Sequence, residues 1–207
     1  MSKGRFITIE GIEGVGKTTN LQFIESWLTD KNIPYIVTRE PGGTPLGEQL
    51  RQLLLHGDAV SSKTELLLMF AARAQHLEEV ILPALNEGKW VICDRFTDST
   101  FAYQGGGRQL NPEWIKSLES LVHESMQPDV TLLLDAPVEI GRARAAKRSA
   151  SDRIESEDLV FFNRVRDTFL HRARLYSRFR IIDACQPLEA VQENVATILE
   201  QLAGASV

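Results

Sequence analysis

The sequence predicts an α/β fold in three layers: a five-stranded parallel sheet, helices on both faces and a mobile lid. Three observations lead there. Residues Gly11-Ile12-Glu13-Gly14-Val15-Gly16-Lys17-Thr18 match G-x-x-x-x-G-K-[ST], the phosphate-binding P-loop pattern. Five short apolar runs alternate with helical patterns, as in βαβ units joined by right-handed crossovers. Four polar segments follow or close those runs, so they converge on the sheet edge where open α/β sheets bind ligands. Together these define a P-loop NTPase-type fold, with residues 1–207 as one domain and the lid at about 142–154.

Each element has its own reason. Residues 6–10 are mostly apolar and β-branched, as a buried strand should be, and 19–31 carry Leu21, Ile24, Trp27 and Leu28 at helical spacing. Asn32-Ile33-Pro34 turns the chain into a strand over 35–38. Pro45 opens a helix that stops near His56-Gly57, and Ser62-Lys63-Thr64-Glu65 fits a capping box before a long helix. Pro83 should kink or end that helix. Residues 90–94 form a third strand ending in an acid, and Asn111-Pro112 opens a helix to about Met126. A fourth strand covers 130–135 and again ends in an acid. Pro137 starts the helix that carries Arg142 and Arg144. An amphipathic helix over 159–179, a fifth strand over 180–183 and a last helix from Pro187 to about Leu202 complete the chain.

The chain has 207 residues, 43% hydrophobic and 25% charged, which suits one globular domain with a sizeable core. A net charge of -5 argues against general nucleic-acid binding. No apolar run approaches membrane-spanning length, and no signal-peptide pattern precedes the first strand. Cys93 and Cys185 lack metal-ligand spacing and read as reduced core thiols of a cytoplasmic protein.

The P-loop supplies the first chemistry. Its glycines let backbone N–H groups point inward, and the following helix N-terminus adds positive partial charge. Lys17 reaches the β- and γ-phosphates of a nucleotide, and the Thr18 hydroxyl ligates Mg²⁺. Asp94 is the expected acid of the metal shell, with Asp135 as its competitor; Arg95, directly after Asp94, favours the first. A switch GTPase is excluded twice over: Thr97 stands where its glycine belongs, and no Asn-Lys-x-Asp occurs. Between Arg142 and Arg153 lie five cations and one acid, with Ser149-Ala150-Ser151 among them. That suits a phosphoryl-transfer lid; the alternative is a solvated basic face. Phe70 and Arg73 share a helix face that fits a base, or else are a core phenylalanine and a surface arginine. Ser99, Thr100, Tyr103, Gln104 and the glycines at 105–107 form either an acceptor site or a flexible surface loop.

On these residues the chain resembles thymidylate kinases. The matching pieces are the P-loop, Arg39-Glu40-Pro41-Gly42-Gly43-Thr44, Asp94-Arg95-Phe96 and Asp152-Arg153-Ile154-Glu155, in the family's order. The resemblance implies ATP-dependent phosphorylation of dTMP to dTDP, with Mg²⁺, in a cytoplasmic homodimer. It implies that residues 11–19, Thr19 included, and Arg142 and Arg144 bind ATP. Glu13 would lie near the nucleotide sugar, and Arg95 would hold the acceptor phosphate. Phe70 would stack on thymine, and Arg73 would touch its edge. Thr100 and Gln104 would line the base and sugar site beside Ser99, and Tyr103 would crowd the place of a 2′-hydroxyl. Arg39, Pro41 and Arg51 would approach the acceptor. The basic residues sit in the lid, as in the bacterial type, because the P-loop has none before Lys17. Arg153, oriented by Asp152 or Glu155, is the expected transition-state arginine. Rival readings are another nucleoside monophosphate kinase or deoxynucleoside kinase, and a P-loop ATPase without a phosphate acceptor.

Overall fold

Five apolar runs become the strands β1 (Phe6–Glu10), β2 (Tyr35–Arg39), β3 (Trp90–Asp94), β4 (Val130–Asp135) and β5 (Phe179–Asp183). The computed structural model describes residues 4–146 and 153–204. It pairs the strands in the order β2-β3-β1-β4-β5, all parallel. The register sets Asp94 beside Ile9 on one side and Arg39 on the other, so the carboxyl ends of three strands align. Strand β1 is buried throughout, which explains its nearly continuous apolar run. Its one charged residue, Glu10, closes it beneath the P-loop.

The helices are α1 (Lys17–Asp30), α2 (Pro45–His56), α3 (Ser62–His76), α4 (Leu82–Asn86), α5 (Thr97–Thr100), α6 (Pro112–His123), α7 (Val138–Ala145), α8 (Leu159–Leu175) and α9 (Leu188–Gly204). Side chains alternate across the sheet with period two. Ile7, Ile9 and Ile92 pack into one core with Ile24 and Leu28 of α1, Phe162, Val165 and Phe169 of α8, and Val195 and Leu199 of α9. Phe6, Val91 and Cys93 face the other way, against Leu77, Ile81, Ala84 and Phe96. The sheet is therefore covered on both faces, as expected.

Several local expectations need correction. The N-cap of α3 is Ser61, whose Oγ accepts from the Thr64 N–H, so Ser62 opens the helix instead of capping it. Glu65 is buried and bound to distant side chains, which removes it from any capping box. Before Pro83 the helix loosens into a π-helical turn, Leu77–Ile81, and continues as α4; the missing proline N–H is absorbed without a break. Residues 97–107 are not a surface loop. They form α5 and a π-helical segment, Phe101–Gly107, largely buried against α8. The glycines there permit that approach: a Cβ on Gly106 would meet Thr168 Oγ1 at 2.2 Å, and one on Gly107 the Phe161 ring at 2.4 Å. Helix α6 stops at His123, and α8 stops at Leu175, so Phe179 belongs to β5. Helix α1 begins at Lys17 and α9 runs on to Gly204. Cys93 is a buried thiol, but Cys185 is exposed.

Candidate active site

Strand β1 delivers the chain into the P-loop, and Gly16, at φ 95°, turns it into α1 with no side chain capping the helix. The first N–H groups of α1 are thus left for an anion. Ile12 and Val15 anchor the loop in the core, while Thr18 and Thr19 stay exposed. Lys17 Nζ lies back over the loop and donates to the carbonyls of Gly11 (3.0 Å) and Ile12 (2.9 Å). Burial, and then the Arg95 charge, lower its pKa to about 8, against Asp94, Glu13 and Glu10. The apex of the loop meets α7 backbone to backbone. A Cβ on Gly14 would lie 1.9 Å from the Gly141 carbonyl oxygen, and one on Gly141 would lie 2.6 Å from that of Glu13.

A cavity of about 420 Å³ opens beside the loop. Glu13, Gly14, Gly16, Lys17, Thr18 and Thr19 border it on one side. Pro41, Arg51, Arg73, Ser99, Thr100, Tyr103 and Gln104 border it on the other, with Asp94 and Arg95 between. Arg95, at φ 70°, is the centre of the arrangement. Its NH1 donates to Gly11 O (3.0 Å) and Ser99 Oγ (3.2 Å), and its NH2 donates to Glu13 Oε1 (2.8 Å). Tyr103 lies under the guanidinium at 5.0 Å and donates its hydroxyl to the same Glu13 oxygen at 2.7 Å. These bonds use three of the five guanidinium donors, leaving the group oriented yet able to grip an anion. Burial opposes its charge, but its acidic surroundings hold the guanidinium pKa above the ordinary arginine value.

Beneath Arg95, Glu10 is fully buried and accepts from the N–H groups of Phe96 (2.8 Å) and Ser99 (3.3 Å) and from Ser99 Oγ (2.6 Å). Burial, and then Asp98, raise its pKa to about 7. Glu40 does similar work on the acceptor side. It accepts from Arg73 Nε at 2.7 Å and lies 3.1 Å from His76 Nδ1. Arg73 also donates to Thr100 Oγ1 at 2.9 Å, and its NH1 is buried with no hydrogen-bond partner among the described residues. Arg73 is thus an interior arginine, 2% exposed.

The metal candidates separate clearly. Asp135 is tied to Arg166 by two bonds of 2.7 Å. Asp94 borders the cavity, and its buried Oδ1 has no hydrogen-bond partner among the described residues. With the Thr18 hydroxyl on the same cavity, this suits a hard cation that takes few protein ligands and completes its shell with water and phosphate.

Other predicted residues are placed differently. Phe70 is buried against Leu66, Phe101 and Ile115, with the Arg73 guanidinium 4.8 Å over its ring; Met69 borders the cavity instead. Arg39 is exposed and pairs with Glu48, while Arg51 donates to the Pro41 carbonyl. Arg144 borders the cavity and donates to Ala184 O, whereas Arg142 donates to Glu157 O away from it. Arg153 is not itself a lining residue of the cavity, although the two that follow it, Ile154 and Glu155, are. The carboxylate holding it at 2.6 Å is Glu65, 88 positions away in sequence, and Leu54 O accepts from its Nε. Asp152, expected to orient it, lies outside the described residues, as does the middle of the expected lid (147–152). Glu10, Glu40 and Glu65 were not among the expected site residues. Their one sequence signal is an acid placed inside an otherwise apolar or special segment, and its partners cannot be read locally.

The family profile described as thymidylate kinase matches residues 9–195. A thymidylate kinase of Pseudomonas savastanoi pv. phaseolicola is 54% identical over 202 residues, covering 96% of each chain. One from Vesicomyosocius okutanii is 52% identical over 205 residues, covering 98% of this chain and all of its own. The crystal structure of thymidylate kinase from Ehrlichia chaffeensis superposes with a TM-score of 0.78 at 35% identity, over 96% of this chain and 99% of that one. With the P-loop, the Asp94-Arg95 strand end and the cavity between them, the chain belongs to the thymidylate kinase family.

Proposed function

We propose that this cavity binds ATP over the P-loop and dTMP on the Arg73 side, with Arg95 at the meeting point. The family's reaction is the ATP-dependent phosphorylation of dTMP to dTDP. The observation that carries the assignment of roles is Arg95. It touches the P-loop through Gly11 and Glu13 and the acceptor side through Ser99, so one guanidinium spans both substrates.

The acceptor is already an anion, so no strong base is needed. Positioning and charge neutralisation carry the rate. Arg95 holds the dTMP phosphate in line with the γ-phosphate, and Lys17 exchanges its two carbonyl bonds for phosphate oxygens. Arg73, braced on Phe70 and Glu40, presents its NH1 to the base. Tyr103, fixed by Glu13, closes the space beside C2′. Thr18 and Asp94 would hold Mg²⁺, which supplies charge neutralisation at the phosphates. Arg153 is the proposed cation for the transferring group. Arg153→Ala should therefore lower kcat on the order of 10²-fold with little change in either KM.

The homodimer is part of the same reading; Leu67 of α3 and Leu121 of α6, 57% and 75% accessible, are apolar side chains available to an interface. A single domain over 1–207 and a cytoplasmic setting complete the reading. Among the described residues no helix is long and apolar enough to cross a membrane. The test is a panel of dTMP, dUMP, UMP, AMP and thymidine with ATP. It should give dTDP as the strongest product. ADP release that no acceptor stimulates would instead support an ATPase.

A further inference from the structure

Glu65 has no part of its own in the reaction described above, yet three side chains converge on it. It is 1% exposed on α3 and accepts from Gln104 Nε2 (2.9 Å), Arg108 Nε (3.3 Å) and Arg153 NH2 (2.6 Å). Burial opposes its charge, but Gln104, Arg153 and Arg108 hold its pKa below the usual glutamate value. The group is therefore a carboxylate, and a carboxylate only accepts hydrogen bonds.

That fixes the amide of Gln104, which is 1% exposed and borders the cavity. The Gln104 nitrogen must face Glu65, because a carbonyl oxygen there would oppose an anion. The Gln104 carbonyl oxygen then remains as the group offered to a ligand. Arg73 borders the same cavity with the opposite character: a guanidinium only donates, and its buried NH1 has no hydrogen-bond partner among the described residues. One acceptor and one donor match the edge of an imide pyrimidine, whose N3–H donates and whose O4 accepts. Cytosine presents the reverse pattern, an N3 acceptor and a C4 amino donor, and would leave buried groups unpaired.

We propose that Glu65 is a specificity-determining positioning residue: by locking the Gln104 amide it makes the cavity select thymine-type bases over cytosine. This rests on the placement of dTMP proposed above. Glu65 touches no substrate and acts through Gln104. A glutamine at position 65 can donate or accept, so the Gln104 amide becomes free to turn over.

The test compares kcat/KM for dTMP with that for dCMP in the full-length protein. The ratio cancels effects common to both substrates, including any release of Arg153. For Glu65→Gln, folded by circular dichroism, the ratio should fall by about 10-fold or more. Arg108→Ala, which removes another partner of Glu65 but leaves Gln104 held, should lower thermal stability and leave the ratio unchanged. An unchanged ratio in folded Glu65→Gln, or an equal fall in Arg108→Ala, would overturn the inference. If Glu65→Gln does not fold, Gln104→Met carries the test: the ratio must fall similarly, and an unchanged ratio overturns the proposal. Absence of dTDP from the wild-type protein would be a separate failure, that of the underlying functional reading.

Discussion

Replacing Glu10 with glutamine removes a buried charge while keeping the side chain's shape. Glu10 is fully buried, and burial, then Asp98, raise its pKa from 4.5 to about 7 against the Ser99 bond, the Arg95 charge and the Phe96 N–H. The folded protein thus holds this proton more tightly than the unfolded chain does. Below the unfolded value both states are protonated, and the contribution to stability is complete. Between 4.5 and about 7 the unfolded chain releases the proton first, so stability falls as pH rises. Once the folded group has also ionised, no further loss accrues. The whole shift corresponds to about 3 kcal/mol. Glutamine does not titrate. The stability of Glu10→Gln relative to wild type should therefore increase by up to about 3 kcal/mol from pH 4.5 to pH 8. Lost or weakened bonds to Phe96 and Ser99 add an offset of about 1 kcal/mol that does not vary with pH, so the slope is the informative quantity. Urea unfolding followed by circular dichroism at pH 5, 6, 7 and 8 measures it. A difference between the two proteins that is constant across this range would refute the reasoning.

Lys17→Ala should lower kcat on the order of 10²-fold or more with an unchanged far-ultraviolet spectrum, since its head group binds carbonyls and phosphates and fills no core; near-normal turnover would remove the lysine from the mechanism. Arg95→Ala should weaken dTMP binding about 10- to 100-fold, the worth of a charge-assisted grip on a phosphate, with less effect on ATP. Titration calorimetry with each nucleotide checks this, and a loss confined to ATP would reverse the assignment. Gly141→Ala sets two effects against each other. Helix propensity favours alanine by about 1 kcal/mol, but its Cβ would lie 2.6 Å from the Glu13 carbonyl oxygen and force α7 off the P-loop. The clash should win, lowering the thermal midpoint and raising KM for ATP; a more stable variant with normal KM would show that the contact yields easily.

Some of this was local and therefore legible. The P-loop is a contiguous pattern whose strand, glycines and helix are neighbours in sequence, so its place follows from eight residues. The five apolar runs and their alternation with helices define a covered parallel sheet. Asp94-Arg95 could be assigned to the site edge because a polar pair closing an apolar strand has few other places to go. The π-helical segment was harder to read. Its glycine run resembles a flexible connector, and only the Phe161 and Thr168 side chains of α8 show that those glycines are packing contacts.

The sequence by itself determined the fold class, the sheet's covered faces, the phosphate loop and the family, because each depends on periodicity or on residues adjacent in the chain. Tertiary structure alone decided which charges are free to act. Asp135 and Asp94 look alike at their strand ends, yet Arg166, from a helix distant in sequence, neutralises the first, while the second borders the cavity and keeps a buried oxygen with no hydrogen-bond partner among the described residues. Arg153 and Gln104 are likewise disposed by Glu65, 88 and 39 positions away. A buried charge must find an opposite partner wherever the fold brings one, and that pairing has no periodicity for a sequence to display.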